Sequence, residues 1–281
     1  MSRELDALTA STLKYLRERW WDDGFAKFLA EVLEPKPGCR LLDVGCGPGT
    51  AGFSLAALGL RDVTIVGVDL AGDKLASAVA APRPDHVRLA FAAADAAALP
   101  FACASFDSTF CVAVLQHVNS ISDPVREFAR VTRPGGRILV VEPDNSARYW
   151  YSSVESGMQA FEVASRFYNA VALSRGDTTD PAVGPKLTQI FAQHGIQPLS
   201  VRMFPVSVTR IGNPPWEIWE NRLEVARQAT ERTRDDAIRR LGIEYRQLLE
   251  RYAEEAAVAG REFVEIQSTP LFATAGRRLA E

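Results

Sequence analysis

Histidine, cysteine and methionine are scarce in this chain of 281 residues, which contains three, four and three of them. The cysteines and histidines show neither a CxxC nor an HxxxH spacing, so we expect neither a structural zinc site nor a disulfide framework. Any chemistry must therefore proceed without a metal, and at most three imidazoles are available as bases.

Long apolar runs and an excess of basic charge are also missing. The formal net charge is −3, the mean hydropathy is −0.06, and no stretch approaches the roughly 18 apolar residues that cross a membrane. A dedicated nucleic-acid binder usually carries a basic excess, and the charged N-terminal segment lacks the apolar core of a signal peptide. The sequence therefore predicts a soluble, cytoplasmic, globular protein without a membrane or nucleic acid as partner, and it leaves a homo-oligomer open.

Five short apolar runs alternate with helix-compatible segments between residues 36 and 145. This alternation predicts βαβ units, in which right-handed crossovers join parallel strands into an α/β sheet. The predicted strands are 39–44, 63–68, 87–91, 106–115 and 137–141, and the predicted helices are 50–60, 72–81 and 124–132.

The flanking segments follow a different pattern. Helical spacing covers most of residues 1–34, and residues 146–184 contain an aromatic cluster with no strand signal. Further along the chain, the pattern predicts a helix at 186–194, strands at 198–210 and 266–275, and a charged helical segment at 212–262. We expect all of these to be additions to a single domain that spans residues 1–281.

A glycine-rich turn follows the first predicted strand. It contains Asp43, Gly45, Cys46, Gly47 and Gly49. Because glycine has no Cβ, a ligand can press against the main-chain N–H groups of such a strand–turn–helix unit. The GxGxG spacing alone also fits dinucleotide binders and turns that hold no ligand.

Acidic residues stand at the ends of the next two predicted strands. Asp69 closes the second strand, where a carboxylate can accept hydrogen bonds from a ribose diol in nucleoside-binding doubly wound folds. Asp95 follows the third strand and precedes Leu99-Pro100-Phe101. The alternatives are an acid at a helix N-terminus for Asp69 and an ordinary polar loop for Asp95.

Two further motifs complete the series, namely Val114-Leu115-Gln116-His117-Val118 and Arg133-Pro134-Gly135-Gly136-Arg137. In this order, the five motifs resemble those of class I S-adenosylmethionine-dependent methyltransferases of the ubiquinone/menaquinone C-methyltransferase-like branch (methyltransferase 11 type). The resemblance implies a doubly wound, Rossmann-like, seven-stranded sheet with strand order 3-2-1-4-5-7-6 and strand 7 antiparallel.

The resemblance also implies S-adenosyl-L-methionine as the cofactor and assigns residues to it. The glycine turn with Asp43 would hold the cofactor, Asp69 its ribose hydroxyls, Leu70 the adenine face, and Asp95 with Ala96 the adenine edge. Leu115 completes this set. Residues 36–145 would then be the cofactor-binding core, 1–34 a helical lid, and 146–184 with 212–262 a substrate cap.

Methyl transfer from a sulfonium is an in-line displacement. The protein aligns the acceptor, excludes water and, where the acceptor carries a proton, supplies a base. His117 is the histidine predicted at the end of strand four, and an imidazole suits a base near neutral pH, although it could instead line the pocket. Glu142, at the end of strand five, is the second catalytic candidate; it could orient an amine or a hydroxyl, or simply cap a turn.

Polar and aromatic residues outside these motifs are candidates for contact with a mostly apolar substrate, with core packing as the alternative. They are Gln116, Tyr149, Trp150 and Trp216.

The segment Asn213-Pro214-Pro215-Trp216 matches the motif with which DNA and RNA amino-methyltransferases hold a target amine. In those enzymes the motif ends strand four, a place that Leu115-Gln116-His117 fills in this sequence. We therefore interpret Asn213 as a helix N-cap and Pro214 as the first helical residue.

The sequence thus predicts an S-adenosylmethionine-dependent methyltransferase that acts on a small, partly apolar metabolite or natural product. Methylation of RNA or protein is the alternative, supported by the arginine-rich segment 227–251, whose acidic residues cancel most of its charge. A non-catalytic protein that binds the same cofactor is a third possibility, because a fold does not fix a function.

Overall fold

The computed structural model describes residues 23–174, 180 and 182–280. Their contacts divide the chain into two compact units. The sheet unit contains residues 23–146, 180, 182–204 and 270–280, and the helical unit contains residues 147–174 and 205–269. The predicted lid, up to residue 22, lies outside the described residues.

Helices and strands alternate through most of the sheet unit, whereas long helices dominate the helical unit. In chain order they are α1 (Asp23–Leu33), β1 (Arg40–Val44), α2 (Thr50–Ala57), β2 (Val63–Asp69), α3 (Gly72–Ala80), β3 (Val87–Ala93), β4 (Phe106–Val112), α4 (Ser122–Val131), β5 (Thr132–Pro143), β6 (Tyr149–Ser152), α5 (Glu155–Ser174), α6 (Val183–Gln193), β7 (Ile196–Ile211), α7 (Trp216–Glu231), α8 (Asp236–Ala259) and β8 (Val264–Arg278). Single 3₁₀ turns cover Leu115–His117 and Gly260–Glu262.

The strand order is β3-β2-β1-β4-β5-β8-β6, and β7 pairs with β8. Strands β1 to β5 pair in parallel, whereas β8 runs antiparallel to β5. This confirms the predicted doubly wound α/β fold with an antiparallel last strand next to β5. The sheet has eight strands instead of the predicted seven, because β6 is added.

The parallel strands form because short apolar runs are buried by helices on the sheet faces. In β1, both Leu41 and Leu42 are inaccessible to solvent. Helix α4 buries Val125, Phe128 and Val131 at helical spacing and so covers this core with a single face. The carboxyl ends of β1, β2, β4 and β5 therefore lie along one edge of the sheet, as in other doubly wound folds.

The prediction that residues 146–184 lack a strand is wrong at Tyr149–Ser152, which forms β6. Trp150 and Ser152 are buried while Tyr149 and Tyr151 are exposed, and this alternation is that of a strand with one covered face. Trp150 pairs with Gln267 of β8. Four residues are too few for a periodic signal, so the pairing with a distant strand decides the structure.

The helical unit has an aromatic core around a buried ion pair. Arg222 of α7 donates to Glu265 of β8 over 2.7 Å, and both side chains are inaccessible to solvent. Burial works to raise the pKa of Glu265, but Arg222 and Arg210 outweigh it and hold that pKa at about 2. The Arg222 guanidinium also lies 4.8 Å from the centre of the Trp219 ring.

The interpretation of Asn213 as an N-cap is wrong by two residues. Helix α7 begins at Trp216 with Pro215 as its N-cap. The Asn213 N–H donates to the carbonyl oxygen of Gly260 over 3.0 Å, and its Oδ1 accepts from Trp219 Nε1 over 3.4 Å. Two successive prolines delay the helix because each restricts the residue before it to extended conformations.

No helix in the described part of the chain combines the length and the apolar character that crossing a bilayer requires.

Candidate active site

The glycine turn after β1 is held closely against two neighbouring segments. The N–H groups of Gly45 and Cys46 both donate to the carbonyl oxygen of Val68, over 2.7 and 2.9 Å. Gly45 has a φ of +73°, and a Cβ at this position would lie 2.1 Å from a methyl carbon of Val114. Glycine is therefore required at Gly45 both by its conformation and by the segment that follows β4.

Asp69 connects the ends of β1 and β2. Its Oδ2 accepts from the Gly47 N–H and its Oδ1 from the Ala71 N–H, each over 2.8 Å. A carboxylate oxygen can accept more than one hydrogen bond, so each oxygen keeps acceptor capacity for a ligand hydroxyl. Leu70, the next residue, is 72% exposed and offers an apolar surface beside this carboxylate.

Asp43 is the most unusual group in the site. It is 2% exposed, and its Oδ2 has no hydrogen-bond partner among the described residues. Burial, and then the nearby Asp69 carboxylate, raise the pKa of Asp43 to about 8. A buried carboxyl with an unpartnered oxygen fits a site for a positively charged ligand, which would supply both the missing partner and the opposite charge.

The two cysteines beside these carboxylates have raised pKa values. Burial raises the pKa of Cys46, and the charges of Asp43 and Asp69 raise it further. The pKa of Cys111 is also raised by burial, with Glu142 and Asp43 adding to the effect. The edge formed by β1, β2 and β5 is thus acidic.

Glu142 organises the segment after β4. Its Oε1 accepts from the N–H groups of Val114 and Leu115, each over 2.7 Å, and its Oε2 accepts from the Gln116 N–H over 3.4 Å. The side chain is inaccessible to solvent. A single carboxylate therefore satisfies the amide groups that open the 3₁₀ turn, in which Leu115 is buried and His117 is exposed.

Gln116 has a second fixed contact, with a residue that the sequence patterns did not single out. The Asn145 side chain donates from Nδ2 to Gln116 Oε1 over 2.9 Å. Asn145 lies two residues beyond the end of β5, so its position after a strand at this edge was the signal that could have identified it.

The loop after β3 is built around Asp95. Its Oδ1 accepts from the Ala97 N–H over 2.9 Å, and its carbonyl oxygen accepts from the Ala98 N–H over 3.0 Å. Asp95 is exposed while Ala96 is buried. This turn presents main-chain groups and a carboxylate at the same place, which is a suitable arrangement for the edge of a planar base.

The predicted substrate residues are divided between the two units. Gln116 belongs to the sheet unit, and Tyr149, Trp150 and Trp216 belong to the helical unit. Tyr149 and Trp216 are 57% and 62% exposed. Trp150 is buried and stacks on Phe161 with ring centres 5.2 Å apart, which favours packing over substrate contact for this residue.

Within the described ranges, no group of three or more histidine, cysteine, aspartate or glutamate side chains is arranged to hold a metal ion.

Comparison with known proteins finds a family match for part of the sheet unit. Residues 42–140 match the family of the methyltransferase domain. The chain is 37% identical over 135 residues to a demethylmenaquinone methyltransferase of Beutenbergia cavernae, covering 48% of this chain and 52% of that protein. It is 33% identical over 137 residues to a 27-O-demethylrifamycin SV methyltransferase of Amycolatopsis mediterranei, covering 44% of this chain and 50% of that protein.

The chain spans about half the length of these curated relatives. Among solved structures, it resembles an S-adenosylmethionine-dependent methyltransferase from Methanosarcina mazei with a TM-score of 0.54 and 15% identity. That alignment covers 90% of this chain and 98% of the other, and at this identity it supports the fold alone.

The matched segment contains most of β1, all of β2 to β4 and most of β5, and thus the glycine turn, Asp69, Asp95 and the 3₁₀ turn, in the order that the sequence predicts. Residues 42–140 thus match the methyltransferase-domain family, and the relatives that align with this chain include a demethylmenaquinone methyltransferase and a ubiquinone/menaquinone biosynthesis C-methyltransferase.

Proposed function

We propose that this chain transfers a methyl group from S-adenosylmethionine to a small, partly apolar acceptor. The observation that carries the proposal is the unpartnered Oδ2 of Asp43, buried at an acidic strand edge whose other carboxylates are Asp69 and Glu142. The cofactor carries two positive groups, an ammonium and a sulfonium, and an acidic edge attracts a cation.

The residues present fit the parts of the cofactor. Asp43 and the glycine turn would hold its amino-acid end, and Asp69 would accept its ribose hydroxyls. Exposed Leu70 would cover one adenine face. Asp95 and the main chain of Ala96 would form hydrogen bonds with the adenine edge. Leu115 would line the floor of the pocket. When bound, the cofactor supplies an activated methyl group.

The chain itself would orient the acceptor and remove its proton. Glu142 holds the amide groups of residues 114–116, so we assign it a positioning role for the 3₁₀ turn that carries His117. His117 would accept the proton from a hydroxyl or amine acceptor as the methyl group leaves the sulfur. Gln116, held by Asn145, would bind a polar group of the acceptor.

Two observations support a small-molecule acceptor. The relatives that match this chain include methyltransferases named for demethylmenaquinone and 27-O-demethylrifamycin SV. The alternative, RNA, would need a basic surface, and the strongest candidate is the segment 227–251. Several arginines of this segment instead pair with glutamates or an aspartate of the same helices, namely Arg227, Arg239 and Arg251.

Calorimetry with S-adenosylmethionine and with its demethylated product tests binding, and formation of the demethylated product in the presence of phenol and quinol acceptors tests turnover. We expect both ligands to bind and turnover to require an acceptor. The absence of heat with either ligand would refute the assignment of the site. Binding without turnover on any acceptor would instead favour a non-catalytic protein, and an affinity for RNA that falls steeply with salt would favour the macromolecular alternative.

A further inference from the structure

Helices α7 and α8 of the helical unit border a cavity of about 310 Å³. This volume lies at the lower end of the range for small-molecule sites, which is roughly 300–1,000 Å³. Trp216, Trp219 and Leu223 line it from α7, Glu250 and Glu254 line it from α8, and Asn213 lies at its edge. We propose that this cavity binds a small organic cation, such as an alkylated amine or a quaternary ammonium.

The wall on the α7 side is aromatic. Trp216 is 62% exposed, and it makes no ring or cation contact among the described residues. Trp219 is buried, and its orientation is fixed by the Asn213 Oδ1 and by the Arg222 guanidinium over its ring. The cavity thus combines one rigid and one accessible indole, and indole faces attract cations more strongly than other aromatic rings do.

The wall on the α8 side is acidic. Glu250 and Glu254 are four residues apart, so both point to the same face of the helix, where like charges repel each other. No basic side chain lines the cavity within the described part of the chain. Glu250 has only a long contact of 3.9 Å with Arg246, and Glu254 has no hydrogen bond or ion pair with any described residue. A cation in the cavity would relieve this repulsion.

The buried Arg222 guanidinium is not available to neutralise these glutamates. Arg222 contacts Trp219, but its charge is already paired with the buried Glu265. Apolar lining from Leu223, Pro214 and Ala253 favours a ligand whose charge carries alkyl groups over a metal ion, which would need several oxygen ligands. The proposal concerns the helical unit alone and does not depend on methyl transfer.

Choline and its uncharged isostere 3,3-dimethylbutan-1-ol differ in charge but hardly in shape. Comparing their binding therefore distinguishes the contribution of the positive charge from that of the apolar surface. The full chain is labelled with 5-fluorotryptophan, and the fluorine signals are assigned with Trp216→Phe and Trp219→Phe. We expect choline to shift the signals of Trp216 and Trp219, the isostere to leave them unchanged, and added salt to weaken the effect.

The variants test each wall. Trp216→Ala should weaken choline binding by about 2- to 30-fold. The lower value corresponds to a solvent-exposed cation–π contact and the upper value to a desolvated one. Glu254→Gln should weaken it by about 2- to 5-fold. The control is Glu244→Gln, because Glu244 is an exposed glutamate of the same helix that pairs with Arg166 outside the cavity. It should leave choline binding unchanged.

Equal shifts with choline and its isostere, or no shift with either, would overturn the proposal. So would unchanged affinity in Trp216→Ala or Glu254→Gln. A lysine-containing peptide that binds at the same signals much more tightly than choline would identify a protein partner and overturn the assignment to a small molecule.

Discussion

Replacement of Asp43 by asparagine tests the electrostatic state of the proposed cofactor site. In the free protein the Asp43 carboxyl is buried, its Oδ2 has no partner among the described residues, and its pKa is raised to about 8 by burial and by Asp69. In the unfolded chain the same carboxyl would titrate near its ordinary value of 3.8. Between these two pH values the folded protein holds a proton that the unfolded chain has lost.

The sign of the effect follows from this difference. The contribution of Asp43 to the free energy of unfolding is greatest below about pH 4. It falls as the pH rises towards 8, because the folded protein binds more protons than the unfolded chain in this interval. One pH unit in this interval corresponds to about 1.4 kcal/mol, so the loss between about pH 5 and pH 8 is on the order of 4 kcal/mol. Asparagine carries no charge at any of these pH values, so Asp43→Asn removes this dependence.

Urea unfolding of the wild type and of Asp43→Asn across this interval measures the effect. The control is Asp73→Asn, at an exposed aspartate in the first turn of α3. We expect the stability of the wild type and the control to fall relative to Asp43→Asn by the same amount, on the order of 4 kcal/mol. Parallel pH profiles for the wild type and Asp43→Asn would refute the reasoning, because Asp43 would then have the same pKa in the folded and unfolded states.

Substitutions at three further positions address the rest of the site. Glu142→Ala leaves the buried N–H of Leu115 and the partly buried N–H groups of Val114 and Gln116 without this acceptor, and it should lower the free energy of unfolding by roughly 1–3 kcal/mol. Glu142→Gln keeps one acceptor oxygen and should lose less, so equal denaturation midpoints for both variants would contradict the contacts described. Asp69→Ala should weaken cofactor binding by about 1–3 kcal/mol in calorimetry, and an unchanged affinity would remove Asp69 from the site. His117→Ala should reduce kcat much more than cofactor affinity, and an unchanged kcat would leave His117 as a residue that only lines the pocket.

Local patterns were sufficient to predict the core of the sheet unit. The apolar runs that became β1, β2 and β3 are each long enough to signal a strand. Gly45 marks a turn whose positive φ and close contact with Val114 favour glycine. The acidic residues Asp43 and Asp69 were therefore expected at the correct strand ends. The sequence could not reveal that Asp69 accepts a hydrogen bond from the Gly47 N–H of the glycine turn. This contact depends on the distance between the ends of β1 and β2 in the folded chain.

Other features depend on residues that are far apart in the chain. Glu142 contacts amide groups 26 to 28 residues earlier, so its role in the 3₁₀ turn cannot be derived from its own neighbours in sequence. The run Tyr149–Ser152 becomes a strand only because β8 supplies a partner more than a hundred residues later. Neither contact has a local periodicity that could predict it.

The sequence by itself determined the doubly wound core, the position of the glycine turn and the absence of an excess of basic charge, because these depend on residue type and short spacing. The tertiary structure decided which carboxylates are buried, and thereby the raised pKa of Asp43, the capping by Glu142 and the pairing of Glu265 with Arg222. It also brought Trp216 and Glu254 to one cavity. Burial and charge pairing depend on what surrounds a side chain in space, and that is a property of the packed chain as a whole.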